Sequence, residues 1–70
     1  MNLAEAVISL YPHTWDQQNN RARWITLSKQ LNTLTGGDGE RYNAVVELME
    51  AKNYTGFCEL VRKIAKEQGL

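Results

Sequence analysis

The sequence predicts an all-α protein, a compact three- to four-helix bundle with short connections. Three observations carry this. In four separate segments apolar residues recur at three- and four-residue spacing, which lines one face of a helix. Cap or breaker residues bound those segments: Asn2, Pro12, Gly36-Gly37, Asp38 and Gly69. No segment alternates apolar and polar residues as a half-buried strand does.

The first helix is expected over about residues 3 to 11. Leu3, Ala6, Val7 and Leu10 share a face. Asn2 can cap the orphan amides, with Glu5 three residues on as in a capping box. Pro12 ends the helix, because the residue before proline avoids the α region. A second helix ends at residue 35 and starts at either 15 or 21. Thr14 and Gln17 form a box-like pair that would start it at Trp15, but Asp16-Gln17-Gln18-Asn19-Asn20 is wholly polar and reads equally as loop. From Arg21 the stripe is Trp24, Leu27, Leu31 and Leu34, with Ile25 and Ala22 beside it, and Gly36-Gly37 supplies a left-handed cap.

Asp38 caps the third helix, Glu40 lies in its first turn where the macrodipole favours an acid, and its stripe is Tyr42, Val45, Val46 and Met49, with Leu48 adjacent. Asn53 is expected in the left-handed region at its exit. Thr55 caps the fourth helix, with Phe57, Leu60, Val61 and Ile64 inward, Lys63 and Lys66 near its end and Gly69 closing it. Trp24, Tyr42, Met49, Phe57 and Ile64 should meet at the centre of a single helical domain spanning 1–70.

The size limits what the chain can do. An 8.0 kDa chain removes about 7,000 Å² from water on folding, some 60% of its unfolded surface. If about 60% of that is apolar, it returns on the order of 105 kcal/mol, against ordering costs also on the order of 105 kcal/mol. Every helix must therefore bury its apolar stripe. Lys plus Arg number 8, Asp plus Glu number 8, so a general electrostatic grip on nucleic acid or anionic membrane is not expected. One cysteine excludes an internal disulfide framework and any cysteine-based zinc site, and a reducing, cytoplasmic setting follows as the expectation. Met1-Asn2-Leu3-Ala4-Glu5 has no basic n-region, and Pro12 and His13 interrupt the apolar stretch from Ala6 to Tyr11, so neither a signal peptide nor a spanning helix is expected.

Catalytic constellations are sparse. His13 follows Pro12 in a turn and Cys58 lies on the fourth helix as a half-buried thiol; nothing in their spacing joins them as nucleophile and base. Glu47 and Glu50 sit at i, i+3 on an outer face, where acid–base work would need a shaped pocket. One histidine gives no His-x-x-x-His or Glu-x-x-His metal arrangement. No metal, cofactor or catalytic residue is assigned, and the chain reads as a non-enzyme. Thr35-Gly36-Gly37-Asp38-Gly39 is glycine-rich and precedes a helix, but it lacks the Gly-Lys-Ser/Thr ending of a phosphate loop, and Asp38 and Glu40 would repel an anion. It reads as cap and turn. The oxygen spacing of a calcium loop is missing as well.

Two binding readings remain. Tyr11, His13, Trp15, Arg21, Arg23 and Trp24 gather the residue types that anchor protein interfaces. Trp15 belongs to no stripe, and it either covers the end of the core or meets a partner. The first reading is thus a small adaptor, inhibitor or regulator that binds another protein, with a second copy of itself as one such partner; its size would suit a phage or plasmid accessory product. The alternative is a nucleic-acid-binding transcriptional or replication regulator. Helices three and four, joined tightly through Asn53-Tyr54-Thr55, have the length of a helix-turn-helix. The N-terminal end of the fourth helix shows Gly56, Cys58 and Glu59, and Glu40, Glu47 and Glu50 face outward on the third, so both suit base reading poorly. A local patch of Arg21, Arg23 and Lys29 near Trp15, or Arg62, Lys63 and Lys66, could hold phosphates. By segment the charge is −2 (1–20), +3 (21–35), −3 (36–51) and +2 (52–70), so the zero balance hides local separation.

Overall fold

The computed structural model describes residues 2–11 and 20–70. It holds four helices, α1 (Leu3–Leu10), α2 (Arg21–Thr35), α3 (Gly39–Glu50) and α4 (Tyr54–Glu67), with no strand among the described residues. α4 touches all three other helices, α1 packs against both α2 and α4, and α2 meets α3. The radius of gyration is 11.0 Å, the value of about 11 Å expected for a compact 70-residue chain. No helix among the described residues is long and apolar enough to cross a membrane.

The caps explain most boundaries. Asn2 Oδ1 accepts from the Glu5 amide at 2.9 Å, while the Glu5 carboxylate turns to Arg62 of α4. Tyr11 follows α1 as a tighter turn, its amide donating to the Ile8 carbonyl. α2 begins at Arg21 behind Asn20, and the start at Trp15 and the Thr14–Gln17 pair lie outside the described residues. Gly36 takes φ 64°, and the Gly37 amide donates back to the Asn32 carbonyl at 3.2 Å, which closes α2 as a Schellman turn. Asp38 Oδ1 accepts from the Glu40 amide at 2.9 Å.

The α3–α4 connection departs from expectation. Lys52, with φ 57°, makes the left-handed turn, and Asn53 does not. Asn53 instead caps α4, its Oδ1 accepting from the Gly56 amide at 2.9 Å, and Thr55 lies inside the helix. The connection is therefore Ala51-Lys52-Asn53. Gly56 permits this cap, because a Cβ there would stand 2.8 Å from Asn53 Nδ2.

The core is one cluster: Ala4, Val7, Ile8 and Tyr11; Leu27, Leu31 and Leu34; Val45 and Met49; and Phe57, Cys58, Val61, Ile64 and Ala65. Met49, Phe57 and Ile64 hold the expected centre, whereas Trp24 and Tyr42 are half-buried at its margin. The buried face of α1 is Ala4–Val7–Ile8–Tyr11 and not Leu3–Ala6–Val7–Leu10. Tyr11 causes the rotation. Its ring lies 4.6 Å from Phe57 and 4.8 Å from Tyr54, so it turns its own face of the helix inward. Cys58 is buried, at 7% exposure, and not half-buried as expected.

Phe57 has no exposed surface, so Phe57→Ala should cost about 3–5 kcal/mol. A 70-residue domain has a total margin of about 4–10 kcal/mol; urea unfolding followed by circular dichroism should show a large loss of cooperative structure. Burial pushes the Tyr11 phenol above its ordinary value. The neutral phenol's contribution is then complete below pH about 10 and is lost as pH rises through the raised folded value. The melting temperature should fall more steeply above pH 10 in the natural chain than in Tyr11→Phe.

Candidate functional site

The surface least explained by the fold is the outer side of α2. At 100° per residue, Ala22, Ile25, Thr26, Lys29, Asn32 and Thr33 share the face opposite Leu27, Leu31 and Leu34, and all six are exposed. Ile25 keeps 47% of its surface in water and is one of three large hydrophobic residues exposed among those described, with Tyr54 and Leu70. Thr26 Oγ1 donates to the Ala22 carbonyl at 3.0 Å and Thr33 Oγ1 to the Lys29 carbonyl at 3.2 Å. These bonds tie both hydroxyls into the helix and leave the methyls as the free part of each side chain. The face thus holds one charge, Lys29, along a weakly apolar strip.

Arg21 and Arg23 flank that strip at its N-terminal end, both exposed. They sit in the first turn of α2, which contains no acid, where the macrodipole disfavours cations by a few tenths of a kcal/mol each. Arg21, Arg23 and Lys29 form no ion pair among the described residues. The ion pairs lie elsewhere: Arg41 with Glu67 at 3.3 Å and Asp38 at 3.9 Å, and Arg62 with Glu5 at 3.2 Å.

Other predicted positions fall differently. Tyr11 is only 4% exposed and is no part of an exposed patch, because its ring is drawn against Phe57. Trp24 is half-buried against the core. His13 and Trp15 lie outside the described residues. Arg62, Lys63 and Lys66 are exposed on α4, but Arg62 is engaged by Glu5, and Glu59 and Glu67 flank the basic run. Cys58 is inward on α4, and the Tyr54 phenol is held above its ordinary value first by a hydrogen bond with that thiol. No group of three or more His, Cys, Asp or Glu among the described residues could hold a metal ion. The opposite charge collects on α3, where Glu40, Glu47 and Glu50 are exposed and make no ion pair among the described residues.

No protein-family model, curated protein or solved structure gives a significant match to this chain.

The sequence places Arg21, Arg23 and Lys29 on α2 and sets Ile25 beside the core stripe, whereas the structure exposes Ile25 on the opposite side. The signal was present: positions 22, 25, 26, 29 and 33 repeat at three and four residues, as a second face offset from the leucines. Replacing residues on the two faces should separate them. Ile25→Ser should change stability by no more than about 0.5 kcal/mol, whereas Leu31→Ser should unfold the chain, as thermal melts of the two variants will show.

Proposed function

We propose that this chain is a small non-enzymatic interaction module that binds another protein through the outer face of α2. The observation that supports it is Ile25, half in water on a helix face that carries one charge and is flanked by Arg21 and Arg23. The solvated faces of α3 and α4 are charged by contrast. A face that combines an exposed aliphatic anchor with flanking arginines suits a partner offering an apolar recess within an acidic surface. An adaptor, inhibitor or regulator works through such a patch and needs no reactive group. The burial of Cys58 beside the Tyr54 hydroxyl fits a packing role for that thiol.

The same cations could instead meet phosphates. Two features favour protein. Ile25 has no counterpart in a phosphate-tracking groove, and Trp24, half-buried against the core, does not offer a free ring for base stacking. Three cations would give a log–log salt slope of about −2.7 on duplex DNA.

Affinity capture of the tagged chain from its native cell, with and without nuclease, tests the reading. A protein partner that survives nuclease and is lost with Ile25→Asp or Arg21→Glu/Arg23→Glu supports it, provided that circular dichroism shows both variants folded. Capture of nucleic acid alone, with gel shifts that weaken along that salt slope, overturns it.

A further inference from the structure

We infer that the α2 face is built to take the α3 face of a second copy of this chain, so that two copies close into a symmetric dimer. This rests on the reading of α2 as an interaction surface and names its occupant.

The argument is charge complementarity with matching register. α2 presents Arg21, Arg23 and Lys29 and has no acid anywhere along it; the outer face of α3 presents Glu40, Glu47 and Glu50 and no base. None of the six makes an ion pair among the described residues. In an antiparallel pairing at 1.5 Å per residue, Arg21 and Lys29, which share a side of α2, are about 12 Å apart, and Glu47 and Glu50 lie about 10.5 and 15 Å from Glu40 along α3. Arg21 then lies opposite the Glu47–Glu50 turn and Lys29 opposite Glu40 in one register, while Arg23, on the other flank of the strip, lies at the edge of the contact. The same register sets Ile25 opposite Ala44, a small, partly exposed residue that leaves room for an aliphatic side chain.

The helix dipoles point the same way. Arg21 and Arg23 occupy the first turn of α2 and Glu47 and Glu50 the last turn of α3, and each pair opposes its own helix. Antiparallel pairing across copies places each beside the opposite charge. Because α2 and α3 are neighbours in one bundle, a two-fold axis makes both α2–α3 contacts at once, which closes the assembly as a dimer. The zero net charge removes overall repulsion between copies.

Sedimentation equilibrium at low ionic strength tests this with two variants, Arg21→Glu/Arg23→Glu and Glu47→Lys/Glu50→Lys. Each places charges that favour its own helix dipole, so loss of the dimer cannot be ascribed to unfolding; circular dichroism verifies this. The natural chain should dimerise, less tightly as salt rises. Each variant alone should dimerise at least about tenfold more weakly, an equimolar mixture should form the heterodimer, and the combined four-site variant should regain the homodimer. A natural chain that stays monomeric at the highest concentration reached at low salt overturns the inference, as does a mixture of the two variants that fails to associate. Loss of a nuclease-resistant partner with Arg21→Glu/Arg23→Glu in a monomeric chain would still support the α2 face as a site for another protein, so the two readings fail separately.

Discussion

The packing of Tyr11 against Phe57 fixes how the other elements can be arranged. Phe57 sits on α4, the helix that touches all the others, and has no solvent exposure. Tyr11, at the exit of α1, closes on it at 4.6 Å, which rotates α1 about its axis and selects Ala4, Val7 and Ile8 as its buried residues. The remaining apolar side chains of α2 and α3 fill the space this pair leaves. The ion pairs are exposed and add little by comparison, typically 0–1 kcal/mol each. Their role is positional: Arg62 with Glu5 ties α4 to the start of α1, and Arg41 with Glu67 ties α3 to the end of α4.

What could be read from the sequence divides by how local its cause is. Asn2, Gly36 and Asp38 act on backbone groups within a turn of themselves, so their residue types alone announce the caps. Asn53 and Thr55 are both competent N-caps, and local chemistry does not choose between them. The choice falls to tertiary contact, because starting α4 at Tyr54 brings that ring against Tyr11, and Gly56 leaves room for the Asn53 side chain. α1 shows the same limit. Leu3–Ala6–Val7–Leu10 and Ala4–Val7–Ile8–Tyr11 have identical spacing, and in a helix apolar on most sides only the neighbouring element decides which series faces inward.

The candidate surface was half legible for a related reason. Arginine and lysine on α2 are visible as composition. Their relation to Ile25 shows only in the angular position of Ile25, which lies next to the stripe in sequence but more than about 100° from the leucines around the helix. Trp24 shows the converse, counted with the core by spacing but held at its margin. Tyr11 belonged by residue type with the interface aromatics, and its burial shows that type alone does not separate a partner anchor from a core anchor.

The charge placement links this surface to the small stability margin of the chain. Glu5 and Glu40 in first turns and Lys66 in a last turn follow the macrodipole. Arg21 and Arg23 on α2, and Glu47 and Glu50 on α3, go against it, although reversing them would stabilise the isolated helices by a few tenths of a kcal/mol each. Departures from local preference tend to gather where function imposes another demand. Here both departures fall on exposed faces, with opposite signs, on neighbouring helices. Folding of the single chain does not require them, whereas the pairing proposed for those faces would.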